Sequence, residues 1–388
     1  MIVKNITTLI LGAAGAQLIM LLAMPIITRL YNPSMLGVAG SYVAIVSILL
    51  PIATMSLYYG IVTSKSKSLS LRVTKASVQV IVIICFIVLL ISVISSLFYR
   101  NFSFIFIPCL LIFSCFVELF GMWLIKDGLY GKKSRILFYI SLVSNGLKVI
   151  VGLFSPTLES LLGITLISYI IHSYLMYRLS GWKAKSFATL FNRASFKFNF
   201  LYILRRFQDF AIYRTPQNLL VSLNQSLPVL YLTYFFSAEQ AGYFVLCRSA
   251  LNAPVTLISK SINDVLYPEI NRIYLDGKNI FNLIFRWTLI LFLLGTFPVI
   301  ILIIYGDVIF SFIFGSEWVR AGEFASWLAI YLLFNFINRP AVASVPVLGV
   351  EPNADAGCAE PKAPPVFCVD PKVDVAGVAP KVDVLEVV

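Results

Sequence analysis

The chain has 388 residues, 59% of them hydrophobic and 12% charged, with a formal net charge of +12. A soluble domain carries about 25% charged residues, and no soluble core could hide this much apolar surface, so the composition calls for lipid as solvent. The surplus of Lys and Arg lies in loops between apolar runs, which marks membrane sidedness and argues against nucleic acid as a partner.

A spanning helix needs about 20 apolar residues. In chain order, candidate spans lie near 6–28, 36–58, 76–98, 102–125, 136–154, 158–177, 212–236, 241–262, 283–305 and 324–349. The reading is an all-α membrane protein with about ten transmembrane helices. The first apolar run is too long for the core of a cleavable signal and lacks a small-residue cleavage site.

Basic residues alternate between connections. Lys65, Lys67, Arg72 and Lys75 follow span 2, and Lys126, Lys132, Lys133 and Arg135 follow span 4. Arg178, Lys183, Lys185, Arg193, Lys197, Arg205, Arg206 and Arg214 follow span 6; Lys260, Arg272, Lys278 and Arg286 follow span 8. The opposite connections hold only Arg29, Arg100 and Arg320. The positive-inside rule therefore puts the N-terminus in the cytoplasm.

Residues 179–211 are too short for a catalytic domain. Their basic and aromatic content (Phe196, Lys197, Phe198, Phe200, Tyr202, Arg205, Arg206, Phe207) predicts an amphipathic helix on the cytoplasmic surface. Asp209 beside Arg205 and Arg206 is expected to form a local surface pair. An internal repeat points to two lobes. Pro25 and Pro51 in spans 1 and 2 have the same spacing as Pro228 and Pro254 in spans 7 and 8, and Tyr31 precedes Gly37 as Phe236 precedes Gly242. The expected organisation is a first lobe over 1–178, a linker over 179–211, an incomplete second lobe of four spans over 212–349, and a disordered tail over 350–388. That tail is rich in proline and repeats Pro-Lys-Val-Asp-Val, which suggests a truncated or frameshifted end.

Three stretches resemble the polysaccharide-biosynthesis flippases of the MOP exporter superfamily (multidrug, oligosaccharidyl-lipid and polysaccharide exporters). They are PIITRLYNPSMLGVAGSY at 25–42, RRFQDFAIYRTPQNLLVSLNQSLPVLYLTYFFSAEQAGYFVLCRSALNAPVTLISKSINDVLYPEI at 205–270, and FGSEWVRAGEFASWLAIYLLFNFINRPAVA at 314–343. The likeness covers about 1–349, and the family normally has at least twelve spans. It implies a carrier in the bacterial cytoplasmic (inner) membrane. Its cargo would be oligosaccharide linked to undecaprenyl diphosphate, moved to the outer leaflet for O-antigen or capsule synthesis beside the polysaccharide polymerase machinery. No enzyme activity and no cofactor are implied.

A diphosphate crossing about 30 Å of hydrocarbon needs a shielded, cationic cavity, preferably with arginine for bidentate contacts. Arg248, well inside span 8, is the leading candidate and matches the family's second-lobe arginine. Lys148 in span 5 and Arg29 at the end of span 1 follow; Arg214 and Arg339 read as interfacial anchors. Gln17 in span 1 and Gln217, Asn218, Asn224 and Gln225 in span 7 supply polar lining. The pairs 217/224 and 218/225 are each seven residues apart and so share a helical face. Glu118 and His172 are the acid/base candidates for coupling transport to protons. The single His172 rules out His-rich metal chemistry, the six cysteines show no metal-ligand spacing, and no metal is expected.

Acid/base enzymology lacks a paired acidic motif in a loop large enough for a sugar nucleotide. A multidrug or cation exporter of the same broad fold would favour buried acids, whereas the deep charges here are mainly basic. An inactive truncated flippase is the remaining alternative. The sidedness predicts that an impermeant thiol reagent added outside cells labels a cysteine placed at Asn101 but not one at Lys67; the reverse pattern would invert the topology.

Overall fold

The computed structural model describes residues 2–180, 202–275 and 279–344. Within them the chain is helical, with no strand. Most of the 179–211 linker, the end of the last predicted span and the 350–388 tail lie outside the described residues.

The first half contains α1 (Ile2–Leu30), α2 (Pro33–Thr54), the short α3 (Tyr59–Thr63), α4 (Lys67–Tyr99), α5 (Phe106–Lys126), α6 (Tyr130–Phe154) and α7 (Leu158–Leu179). The second contains α8 (Thr215–Phe235), α9 (Ala238–Leu275), α10 (Phe281–Phe314), α11 (Val319–Ile337) and α12 (Arg339–Ser344). Local chemistry sets the helix starts. The Asn32 side chain accepts from Met35 N with Pro33 in the first turn, and Thr157 and Ser160 form a reciprocal capping box.

Among the described residues every predicted span falls on a helix, and eight helices are long and apolar enough to cross a membrane. The chain is an all-α, multi-pass membrane protein. α8 and α11 fall short on composition: α8 carries Gln217, Asn218, Asn224 and Gln225, and α11 carries Arg320, Glu323 and Asn335. Two boundaries also move. Span 2 was expected to reach residue 58, but α2 ends at Thr54, and Met55 and Ser56 take φ of 45° and 50°. Pro51 removes a backbone donor from the last turn and the Thr54 hydroxyl turns back to Leu50 O (2.9 Å), which prepares that stop. The last span breaks at Asn338, where Pro340 sits within the first turn of α12.

Large apolar side chains point outward along the helices: Phe98 is 81% exposed, Phe154 86% and Phe312 83%. In lipid such exposure carries no penalty, so association between helices relies on close packing and internal hydrogen bonds. α1 lies along α6, where Ser141 Oγ donates to Ala16 O (2.7 Å) and Tyr31 OH donates to Lys148 O (3.1 Å). Trp123 Nε1 donates to Thr74 Oγ1 (2.9 Å), joining α5 to α4. α10 packs on α11, with Ser326 Oγ donating to Leu302 O (2.9 Å).

α2 is the common element. It packs against α5, α4 and α7 on one side and against α8 and α9 on the other. One buried cluster (Tyr31, Ile81, Leu110, Leu111, Leu162) belongs to the first half, and another (Tyr243, Phe310, Trp318, Ala321) belongs mainly to the second.

The expected cytoplasmic end of α5 carries a clip. Lys126 Nζ donates to Ile61 O (2.9 Å), to Ser64 O (2.8 Å) and to Ser70 Oγ, tying α5 to the turn between α3 and α4. An ammonium offers its donors as a tripod, which a planar guanidinium does not reproduce. Lys126→Met should lower stability by about 2–3 kcal/mol, with Lys126→Arg recovering little of it. Thermal unfolding in detergent checks this; a wild-type midpoint for Lys126→Met would dismiss the clip.

Candidate functional site

Most of the polar residues singled out in the sequence lie on α1, α8 and α9, with Glu118 on α5, Lys148 on α6 and His172 on α7. The junction of α8 and α9 is built around a proline. Pro228 lies inside α8 and has no N–H to give to the preceding turn. Facing that turn from α9, Arg248 Nη1 donates to Gln225 O, three residues before the proline. The half-buried Arg248 is therefore engaged with the backbone of the neighbouring helix in the turn before its proline.

Other hydrogen bonds join the two halves. Asn218 Nδ2, near the start of α8, donates to Ser56 Oγ (3.1 Å) in the irregular turn after α2. Thr256 Oγ1 of α9 donates to Gln17 Oε1 of α1 (3.3 Å). Gln217 instead pairs locally, accepting from Arg214 Nη1 (3.3 Å), and Asn224 is exposed. Sharing a helical face thus does not give Gln217, Asn218, Asn224 and Gln225 one environment.

Lys148 sits on the face of α6 that meets α1. Ser141 and Gly152 share that face, and Tyr31 donates to the Lys148 carbonyl. Arg29 is exposed in the last turn of α1, its Cγ beside Gly315 in the turn between α10 and α11. It stands at the end of the bundle that holds the hairpin tips, away from the α8–α9 bend. At the opposite end Arg214 lies over the Tyr59 ring (5.7 Å). The expected pair of Asp209 with Arg205 or Arg206 is not formed among the described residues: Arg206 Nη1 donates to Tyr202 OH (2.7 Å), one turn back on the same face.

Glu118 and His172 lie on packed helices but have different neighbours. Glu118 bears electrostatically on Tyr58 in the α2–α3 turn and on Tyr169 of α7. Burial pushes the Tyr58 phenol far above its ordinary range, and Tyr59 and Glu118 add in the same direction, so it stays protonated at neutral pH. His172 is influenced by Lys133 of α6, and its Nε2 is buried without a hydrogen-bond partner among the described residues.

Sequence reasoning missed several contacts between the halves. Ser41 Oγ and Thr233 Oγ1 are 2.6 Å apart, and Trp318 Nε1 donates to Thr28 O (2.9 Å). Neither had a signal, because single hydroxyls and a lone tryptophan are ordinary in apolar helices. The Gly37–Gly242 correspondence was visible in the repeat, but not the fact that the two glycines touch.

A family model described as polysaccharide biosynthesis protein matches residues 26–323. The chain belongs to this family. Nothing among curated proteins or solved structures matches it significantly. The family supports a transporter-type membrane protein of polysaccharide synthesis. The matched region runs from the last turn of α1 into α11 and includes Arg29, Glu118, Lys148, His172, Arg248 and the four α8 amides; Gln17 precedes it.

Arg248→Ala removes a charged donor from Gln225 O at the Pro228 bend. Stability should fall by about 1–3 kcal/mol, and Arg248→Lys should recover part of the loss. Melting of purified protein in detergent measures both; no change in either variant would mean that the Arg248–Gln225 bond does not contribute to stability.

Proposed function

We propose that this chain translocates oligosaccharide units linked to a polyprenyl diphosphate, expected to be undecaprenyl diphosphate, from the cytoplasmic to the outer leaflet. The cycle is alternating access between the α1–α7 and α8–α12 halves. The observation that carries this reading is Arg248, a guanidinium on a membrane helix of a polysaccharide-biosynthesis transporter, beside a bend lined by amides.

The chemistry follows from the charge of the cargo. A diphosphate in hydrocarbon is very unfavourable unless cations and donors replace its water. A guanidinium presents five donors in a planar fork that matches phosphate oxygens. In this reading diphosphate oxygens compete with the Gln225 carbonyl for Arg248, so binding loosens the α8–α9 bend and couples cargo to helix geometry. Gln17, Asn218 and Gln225 offer donors and acceptors to sugar hydroxyls, with Gln217 and Asn224 contributing further out. Lys148 and Arg29 act on the anion nearer the outer side, and the lipid tail stays in the bilayer.

Coupling falls to the first half. Glu118 on α5 and His172 on α7 are the groups assigned to proton coupling in this reading. A cation or drug exporter of the same broad fold would line its path with carboxylates; Arg248 at the central bend weighs against it. The inner membrane of a bacterium is the matching location, with the polysaccharide polymerase machinery as neighbour.

Complementation tests this. In a strain lacking its own flippase and supplied with the cognate glycan pathway, the chain should restore surface glycan. Arg248→Ala should reduce it by about tenfold or more at equal membrane abundance, as loss of a charge-assisted contact of about 1.4 kcal/mol or more predicts. Absence of glycan with the wild-type chain present in the membrane would overturn the proposal.

A further inference from the structure

The two hairpin tips meet in a reciprocal contact. A Cβ on Gly37 would fall 1.7 Å from Ala238 O and 2.7 Å from Gly242 N. A Cβ on Gly242 would fall 1.9 Å from Pro33 O and 3.2 Å from Gly37 N. Pro33 lies four residues before Gly37, and Ala238 lies four before Gly242. Each helix therefore lays its glycine against the first-turn carbonyl of the other. This is the signature of a two-fold contact, in which residue i meets j and j meets i. Here it joins two halves of one chain at the positions that the internal repeat makes equivalent.

We propose that the Gly37–Gly242 crossing is the outer gate of the transporter, closed in this structure. The inference rests on the alternating-access reading above and names the contact that must part on the outer side. Three observations surround it. Ser41 and Thr233 share a hydroxyl hydrogen bond one turn further in (2.6 Å). Ala44, Val229 and Ala241 form a small buried cluster beneath it. Trp318, fully buried, donates to Thr28 O (2.9 Å) and stands edge-on to Tyr243 (5.9 Å), closing the neighbouring seam.

All of these lie toward the end that carries the 31–32 and 236–237 turns, opposite the basic connections. Backbone against backbone leaves no gap for a diphosphate or a sugar. The seal is also weak: it contains no ion pair, and an interhelical hydroxyl bond contributes little in a membrane. A contact that excludes cargo but separates at small cost suits a gate that opens once per cycle. A side chain at either glycine acts as a wedge and biases the halves toward the outward-open arrangement.

The test uses the full chain with its native cysteines replaced. Ser41→Cys with Thr233→Cys should cross-link under mild oxidant in membranes, stop glycan export while oxidised, and release it on reduction. Separately, Thr233→Cys alone should be labelled slowly by an impermeant maleimide added outside. Gly37→Leu and Gly242→Leu should each raise that labelling about tenfold, the population change given by about 1.4 kcal/mol. Gly146→Leu, where a Cβ meets nothing within 4 Å, should leave it unchanged. Gly37→Ala replaces the leucine variant if that fails to reach the membrane.

Export at the reduced rate by the oxidised pair would overturn the gate, as would labelling unaffected by either wedge at wild-type abundance. Labelling that responds to the wedges in a chain that exports no glycan supports the gate and removes the cargo assignment instead.

Discussion

The bilayer removes the force that assembles soluble proteins, and the architecture follows from that removal. A leucine on α4 or α10 is as well solvated by lipid as by another helix, so burying it contributes little to helix association. What remains is dispersion between closely approaching backbones and hydrogen bonds that hydrocarbon cannot replace. Both are found where the helices meet. α1 approaches α6 through its small residues and the Ser141–Ala16 bond, and α2 approaches α9 through the two glycines. Many bulky rings are turned outward, such as Phe98, Phe154 and Phe312, while Tyr31, Trp123 and Trp318 are packed inside.

This constraint makes α2 the shared wall of the two halves. Its N-terminal end must be smooth enough for α9 to lie against it, hence Gly37, Ser41 and Ala44. Its other end must stop early, because the chain turns back through α3 towards α4. Met55 and Ser56 adopt left-handed geometry there, and Ser56 receives Asn218 of α8. The stretch before α8 is held on the first half: Ile203 is fully buried and Phe207 packs in the cluster containing Tyr58 and Trp123. Between that anchor and α8 lies a π-helical turn, Phe210–Arg214, whose Phe210 stacks on Tyr59 (6.2 Å). A wider turn of this kind is a common place for a helix to absorb strain, and here it separates a segment docked on one half from a helix of the other.

The membrane class and the spans were legible because each depends on sums over many residues. Apolar length decides a span. The rotation of each helix was much less legible. A soluble helix reveals its inner face by an apolar stripe, but a membrane helix is apolar on every side. Lys148 could therefore be assigned a depth but not a direction, and only the Tyr31 and Ser141 contacts reveal that its face meets α1. The same limit hid the different fates of Asn218 and Asn224. Contacts between distant positions, such as Trp318 with Thr28, leave no local pattern. α8 and α11 show the converse case: their polarity places them below an apolar threshold although they pack among spanning helices.

The position of Arg248 links the stability of the bundle to the proposed transport. Proline at 228 removes the N–H that would reach Asn224 O, and Arg248 Nη1 donates to the next carbonyl, Gln225 O. If the arginine were purely structural, a neutral donor would suffice, and the unfavourable placement of a cation in the membrane would gain nothing. A charge at a helix bend is useful when the same group has a second, anionic partner for part of the cycle. Arg248 meets α8 on the same pair of helices whose outer turns hold Thr233 against Ser41 and Gly242 against Gly37. An anion that draws the guanidinium away from Gln225 O therefore acts on the helix that also carries Thr233. In that arrangement the bend transmits cargo binding to the gate through a single helix, without needing a longer chain of contacts.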